Sequence, residues 1–198
     1  MNRIPADQVT GVILAGGRAR RLGGRDKGLL AYRGLPLIRY ALQTLEPVCN
    51  EILINANRNL DAYRRFGYPV IPDPLPDFQG PLAGILAALR RAKSPYLLVV
   101  PCDSPRLRSD TLARLLAALD EGFEIAIAHD GQRLHPVVMA LRTHHLADDL
   151  TAFLAAGRHK IDHWAARHRW VAVDCSDDPI QFLNINTPED LHDVDPAE

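Results

Sequence analysis

Apolar residues along this chain fall into short strand-like runs and longer helix-like stretches that alternate from the start. Residues 9–14 form a β-branched apolar run ending at Gly16 and Gly17, the pattern of a buried first strand that feeds a loop. Pro36 opens a predicted helix over 36–45, residues 51–56 read as a second strand, 60–66 as a short helix, and 70–71 as a third strand stopped by Pro72. Gly80 and Pro81 start a helix that runs to about residue 92. Residues 96–100 are apolar on both faces, as a central parallel strand covered on each side should be, and they end in Pro101, Cys102 and Asp103. A helix over 109–121, with Asp110 in its first turn, and a strand over 124–128 follow.

After His129 the rhythm changes. Residues 136–141 predict a strand, 146–156 a helix, 170–173 a strand and 188–194 a final helix. The strict βαβα order of the first part predicts an α/β protein built on an open, mostly parallel sheet wound on both sides, with ligands at the carboxyl ends of the strands. No repeat, low-complexity tract or linker interrupts residues 1–198, so one domain is expected.

Composition sharpens this picture mainly by exclusion. The net charge of −1 gives no general attraction for nucleic acid or an anionic membrane, so any affinity for phosphate must be local. Cys49, Cys102 and Cys175 are odd in number and lack C-x-x-C spacing, which reads as thiols in a reducing cytoplasm. The first residues are polar and no apolar stretch approaches the roughly 18 residues of a spanning helix. A cytoplasmic protein is expected, with neither a membrane nor a nucleic-acid partner.

The local cluster is residues 14–28, LAGGRARRLGGRDKG. Glycines at 16, 17, 23, 24 and 28 let backbone N–H groups approach phosphate oxygens, while Arg18, Arg20, Arg21, Arg25 and Lys27 supply fixed cations, opposed only by Asp26. The segment is neither a G-x-G-x-x-G dinucleotide fingerprint nor a P-loop. Glycine and arginine alone would also suit a solvated loop or a nucleic-acid contact. Placement directly after the first strand favours a nucleoside triphosphate.

Six segments carry a further signal: TGVILAGGRARRLGGRDKGLL, INANRN, VIPDPLPDFQGPLAG, PCDSP, DGQRLHPVVMAL and NINTPEDL. In this order they resemble the molybdenum cofactor guanylyltransferases, within the nucleotidyltransferases that join a nucleoside triphosphate to a phosphorylated acceptor. The resemblance implies a three-layer Rossmann-like nucleotidyltransferase fold with a mostly parallel central sheet. It implies transfer of GMP from GTP to the terminal phosphate of molybdopterin or Mo-molybdopterin, with Mg²⁺ as cofactor and pyrophosphate as product. Residues 1–129 would then bind nucleotide and about 130–198 the acceptor. The molybdenum-insertion enzyme and the recipient molybdoenzymes are the implied protein partners.

The same resemblance assigns roles. Leu14, Ala15, Gly16 and Gly17 would hold the nucleotide, and Arg21 and Lys27 its phosphates, with Lys27 toward the α-phosphoryl group. Asn55 and Asp73 would surround the nucleoside, although both residue types also favour turns. Gly80 and Gly84 would permit close backbone approach. Asp103 matches the magnesium ligand and Asn186 a second metal-side position, with Asn184 toward the pterin phosphate; Asn186 or Thr187 would also suit a helix N-cap. His135 reads equally as an acceptor-side group or a surface histidine. His159 and His163 are spaced i, i+4 but lack the Glu of H-E-x-x-H, so they read as exposed, with Arg158 and Lys160 beside them.

Alternatives from other classes stand beside this one. Cytidylyl relatives commonly read L-A-A-G where this chain has Gly16 and Gly17; sugar-1-phosphate enzymes share L-A-G-G but are usually longer. D-G-x-x-x-H-P and N-x-N-T-P-E favour the pterin branch. A nucleotide-binding adaptor without chemistry would have no need of Lys27, Asp103 and Asn186 together.

Overall fold

The computed structural model describes residues 4–15, 26–74, 80–187 and 190. Gly16, Gly17 and Arg21 lie outside the described residues, as does most of the predicted helix over 188–194. Strands β1 (Val9–Leu14), β4 (Glu51–Asn55), β5 (Val70–Ile71), β6 (Tyr96–Pro101), β7 (Ile125–His129), β8 (Leu134–Arg142) and β9 (Trp170–Asp174) form one sheet in the order β5-β4-β1-β6-β8-β7-β9. The remaining two strands, β2 (Ala31–Tyr32) and β3 (Leu35–Pro36), make a separate hairpin.

Pairing within the sheet is parallel except on the two edges of β8, which runs against both β6 and β7. The reason lies in the connection. Only residues 130–133 separate β7 from β8, enough for a hairpin turn, whereas a parallel return needs a crossover of about a dozen residues.

Period-two alternation divides the core into two layers. Leu98 and Val100 of β6 pack with Ile38, Leu42 and Leu45 of helix α1 (Leu37–Leu45), Tyr63 of α2 (Leu60–Arg64) and Leu112 and Leu115 of α4 (Ser109–Asp120). Leu97 and Val99 face the other way, onto α3 (Pro81–Arg91), α5 (Leu146–Ala155) and α6 (Ile161–Ala165). Helices therefore cover both faces, and the three-layer α/β expectation holds. No helix among the described residues is long and apolar enough to cross a membrane.

Two elements escaped the sequence reading. In the β2–β3 hairpin, Arg33 and Gly34 both have positive φ, 47° and 80°, as a tight two-residue turn requires; an Arg-Gly pair is not the usual signal for it, and Pro36 ends β3 instead of opening α1. Helix α6 is too short to show a period, but it buries Trp164 completely.

Asp149 on α5 staples α6 in place. Its carboxylate accepts hydrogen bonds from Trp164 Nε1 (3.0 Å) and Arg167 (2.6 Å) and contacts His168 Nε2 (3.0 Å). Burial opposes its ionisation, but the donors from Arg167, Trp164 and His168 outweigh this and hold the carboxyl below its ordinary value. Asp149→Ala should strand the buried indole N–H, at a cost of about 1–3 kcal/mol. A melting midpoint lower by about 2–12 °C is expected by calorimetry at pH 7. Because folding lowers this pKa, the stabilisation is complete above the ordinary aspartate range and disappears as pH falls through the folded-state value. The gap between wild type and variant should therefore narrow in acid.

Candidate active site

Parallel pairing brings strand ends together. Leu14 lies level with Asn55 on one side and Pro101 on the other, and Asn55 lies level with Ile71. Ala15 N–H donates to Asn55 O (2.9 Å), and Cys102 N–H to Leu14 O (3.3 Å). The first strand thus makes its exit from the sheet at Ala15, between the carboxyl ends of β4 and β6, and the described chain resumes at Asp26.

On one side of this exit, Lys27, Asp103 and Asn186 meet. The Lys27 ammonium forms an ion pair with Asp103 Oδ2 and donates to Asn186 Oδ1 at 2.8 Å. Asp103 Oδ1 is buried and has no hydrogen-bond partner among the described residues, an uncommon condition for a carboxylate oxygen. Two bonds fasten the strand end to the distant asparagine segment: Ile185 N–H donates to Asp103 O (2.9 Å), and Ser104 Oγ donates to Asn184 Oδ1 (2.6 Å).

The cap at this segment belongs to Thr187. Asp190 accepts from the backbone N–H groups of Asn186 (2.6 Å) and Thr187 (2.8 Å), and Thr187 Oγ1 accepts from Asp190 N–H (3.3 Å). This reciprocal pairing has the form of a capping box. It leaves the Asn186 side chain to face Lys27, bound otherwise to Asn184 O at 3.3 Å.

On the other side, Asn55 is buried, with 3% exposure, and spends its amide on Ile71 O (3.2 Å) and Asp73 Oδ1 (2.9 Å). Its geometry makes it the holder of Asp73, whose second oxygen accepts from Asn57 Nδ2 (2.7 Å) while Asn57 Oδ1 accepts from Asp73 N–H (2.8 Å). Asn57 was not singled out from the sequence, though its i, i+2 spacing from Asn55 within INANRN was the available signal. Gly80 adopts φ 78°, ψ −170°, a region essentially confined to glycine, and precedes Pro81 at the start of α3.

A Cβ at Gly84 would collide with Asn55 Oδ1 and approach Leu14 Cδ2 to 2.9 Å. Gly84→Ala should therefore push Asn55 off Asp73. A loss of about 1–3 kcal/mol of stability is expected, measurable by calorimetry.

His135 is buried, at 9% exposure, so it is not the surface histidine offered as one reading. Its ring stacks on Phe182 (4.2 Å between centroids, 13° between planes), and Nε2 lies 2.7 Å from Asp130 Oδ2. Backbone N–H groups of Arg133 and Gln132, with His135, hold the Asp130 carboxyl well below the usual carboxylate range. His159 and His163 are exposed, as expected. Among the described residues, no group of three or more His, Cys, Asp or Glu side chains could hold a metal.

Helices thus cover both faces of a mostly parallel sheet, and a lysine is set between a carboxylate and an amide at the carboxyl ends of its strands, where such sheets take their ligands. Residues 11–171 match the family model of the MobA-like NTP transferase domain. The chain belongs to that family. It is 47% identical over 191 residues to a molybdenum cofactor guanylyltransferase of Shewanella sediminis, covering 96% of this chain and 97% of that one. The protein of the same name from Shewanella pealeana is 50% identical over 185 residues, covering 93% and 92%. Among solved structures, molybdopterin-guanine dinucleotide biosynthesis protein A from Archaeoglobus fulgidus superposes with a TM-score of 0.76 at 25% identity, covering 93% of this chain and 95% of that one.

Proposed function

We propose that this protein transfers GMP from GTP to the terminal phosphate of molybdopterin or Mo-molybdopterin and releases pyrophosphate. The meeting of Lys27, Asp103 and Asn186 at the strand ends, in a chain of this family, carries the reading. Leu14, Ala15, Gly16, Gly17 and Gly80 take the nucleotide, Arg21 and Lys27 its phosphates, and Asp73, held by Asn55 and Asn57, the nucleoside. His135, Asn184 and Asn186 serve the acceptor, so residues to about 129 act on nucleotide and the rest on acceptor.

The residues at Asp103 suit magnesium. A hard cation takes oxygen donors and is commonly held by one or two protein groups plus substrate phosphate; Asp103 Oδ1 is buried without a partner among the described residues, and Asn186 Oδ1 points at the same ammonium. Bound there, the ion would neutralise charge on the α-phosphate and the departing pyrophosphate. The chain's own work is positioning. Lys27 brings a compact positive charge to the α-phosphoryl group, and an acceptor phosphate oxygen, already anionic, attacks in line without a covalent enzyme intermediate. Cys102, the thiol beside Asp103, is no competing nucleophile. Burial, and next the Asp103 charge, push its pKa up and keep it protonated.

Pyrophosphate release from GTP with purified molybdopterin, with CTP as competitor, tests the reading. Turnover with GTP and weak competition by CTP are expected. Tighter CTP binding would overturn the nucleotide assignment, and absence of pyrophosphate under competent conditions would make the protein a nucleotide-binding adaptor. The buried thiols fit a cytoplasmic protein, and the enzyme that inserts molybdenum and the recipient molybdoenzymes are the partners this reaction calls for.

A further inference from the structure

Asp26, next to the proposed phosphate-handling lysine, is 6% exposed, and both its oxygens are engaged from one segment. Tyr63 OH donates to Oδ1; Asn59 Nδ2 donates to Oδ2 at 3.0 Å, and Arg58 Nε lies 3.5 Å from it. Burial foremost drives the Tyr63 phenol far above its ordinary pKa, so it remains a donor. Asn59, at φ 50° and ψ 35°, precedes α2, and Tyr63 within that helix is fully buried.

The contact also brackets Lys27 from its other side. A Cβ on Gly28 would come within 2.6 Å of the Tyr63 hydroxyl, so the glycine lets the backbone lie against the phenol that holds Asp26. Asp26 O then accepts from Leu29 N–H (3.1 Å), Lys27 O from Leu30 N–H (3.1 Å), and Leu30 O from Leu37 N–H at the start of α1 (2.9 Å). The Lys27 backbone is thereby fastened before, through and after the residue. A long lysine side chain loses much rotamer freedom when its ammonium is held at one place. A fixed backbone shortens the list of places that ammonium can reach.

Stability alone is a poor reason for this arrangement. A buried ion pair is often no more stabilising than apolar residues of the same volume. We infer that Asp26 is a positioning residue: its carboxylate, gripped by Tyr63, Asn59 and Arg58, sets the backbone at Lys27 so that the ammonium meets the triphosphate. The inference deepens the proposed function and rests on it for the role of Lys27. Misplacement of a catalytic group by about 1 Å can cost on the order of 100-fold in rate.

A double-mutant cycle separates positioning from folding. Asp26→Asn replaces an acceptor by a donor facing Asn59 and Tyr63; Tyr63→Phe removes one donor and keeps the ring; each is made alone and with Lys27→Met. Calorimetry reads GTP and guanosine binding, pyrophosphate release reads turnover, and thermal melting reads stability. Asp26→Asn should lower kcat by about 10- to 100-fold and weaken GTP, while guanosine binding stays within about twofold. In the Lys27→Met background the same change should cost less than about threefold, because no ammonium remains to be misplaced. Equal losses with and without Lys27, or parallel losses for GTP and guanosine, would overturn the inference. If Asp26→Asn does not fold, the Tyr63→Phe cycle carries the test, with an expected kcat loss of about 3- to 10-fold that again vanishes without Lys27. Wild-type protein that binds GTP but releases no pyrophosphate would defeat the proposed function, while the GTP-binding cycle would still decide whether Asp26 positions Lys27.

Discussion

Asp103→Ala is expected to reduce GMP transfer by about 10³-fold, with the stability of the folded state little changed. The two halves of this expectation have one cause. Asp103 Oδ1 is buried without a hydrogen-bond partner among the described residues, so the desolvation of that oxygen offsets what Oδ2 gains from the Lys27 ion pair. Truncation removes both, while the backbone bond from Ile185 N–H to Asp103 O survives and keeps the asparagine segment tied to β6. Melting should shift by no more than about 4 °C in either direction. Pyrophosphate release and a melting curve on the same preparation check both halves. A variant that is fully active would remove Asp103 from the chemistry, and one that unfolds would make it a structural residue.

Lys27→Met should lower kcat by about 10²- to 10³-fold. Methionine keeps much of the unbranched stem and removes the ammonium, so the loss reports charge more than packing. In the structure that ammonium holds Asp103 Oδ2 and Asn186 Oδ1 together. Its absence should therefore be felt twice, as missing charge at the α-phosphoryl group and as poorer convergence of the two oxygen donors. Lys27→Arg should restore little, because a planar guanidinium cannot occupy the same compact point between the two side chains. Kinetics across GTP concentrations would show a fall in kcat together with weaker GTP binding. A rise in KM with kcat unchanged would instead make Lys27 a ground-state binding group.

The layers of this fold were legible because burial imposes a period. Tyr96–Pro101 is apolar at every position, since Leu97 and Val99 face one helix layer while Leu98 and Val100 face the other. Where periodicity is too short to register, reading fell short: the two-residue strands of the β2–β3 hairpin and the single turn of α6 went unseen. Thr187, and not Asn186, caps the turn toward Asp190, a choice made by the direction of side chains that residue type alone leaves open.

The candidate site divides in the same way. By itself the sequence determined the order of strands and helices, the basic glycine-rich exit after the first strand and the family resemblance, because these are local patterns and chemical types. Only the tertiary structure decided what meets what. Lys27 lies 76 residues from Asp103 and 159 from Asn186, and they come together because parallel pairing aligns the ends of β1 and β6 while Ile185 is hydrogen-bonded to Asp103. Asn55 became the holder of Asp73, His135 went under Phe182, and Asp26 found Tyr63 for the same reason. Those contacts are products of packing between segments distant in the chain, and no local pattern encodes them.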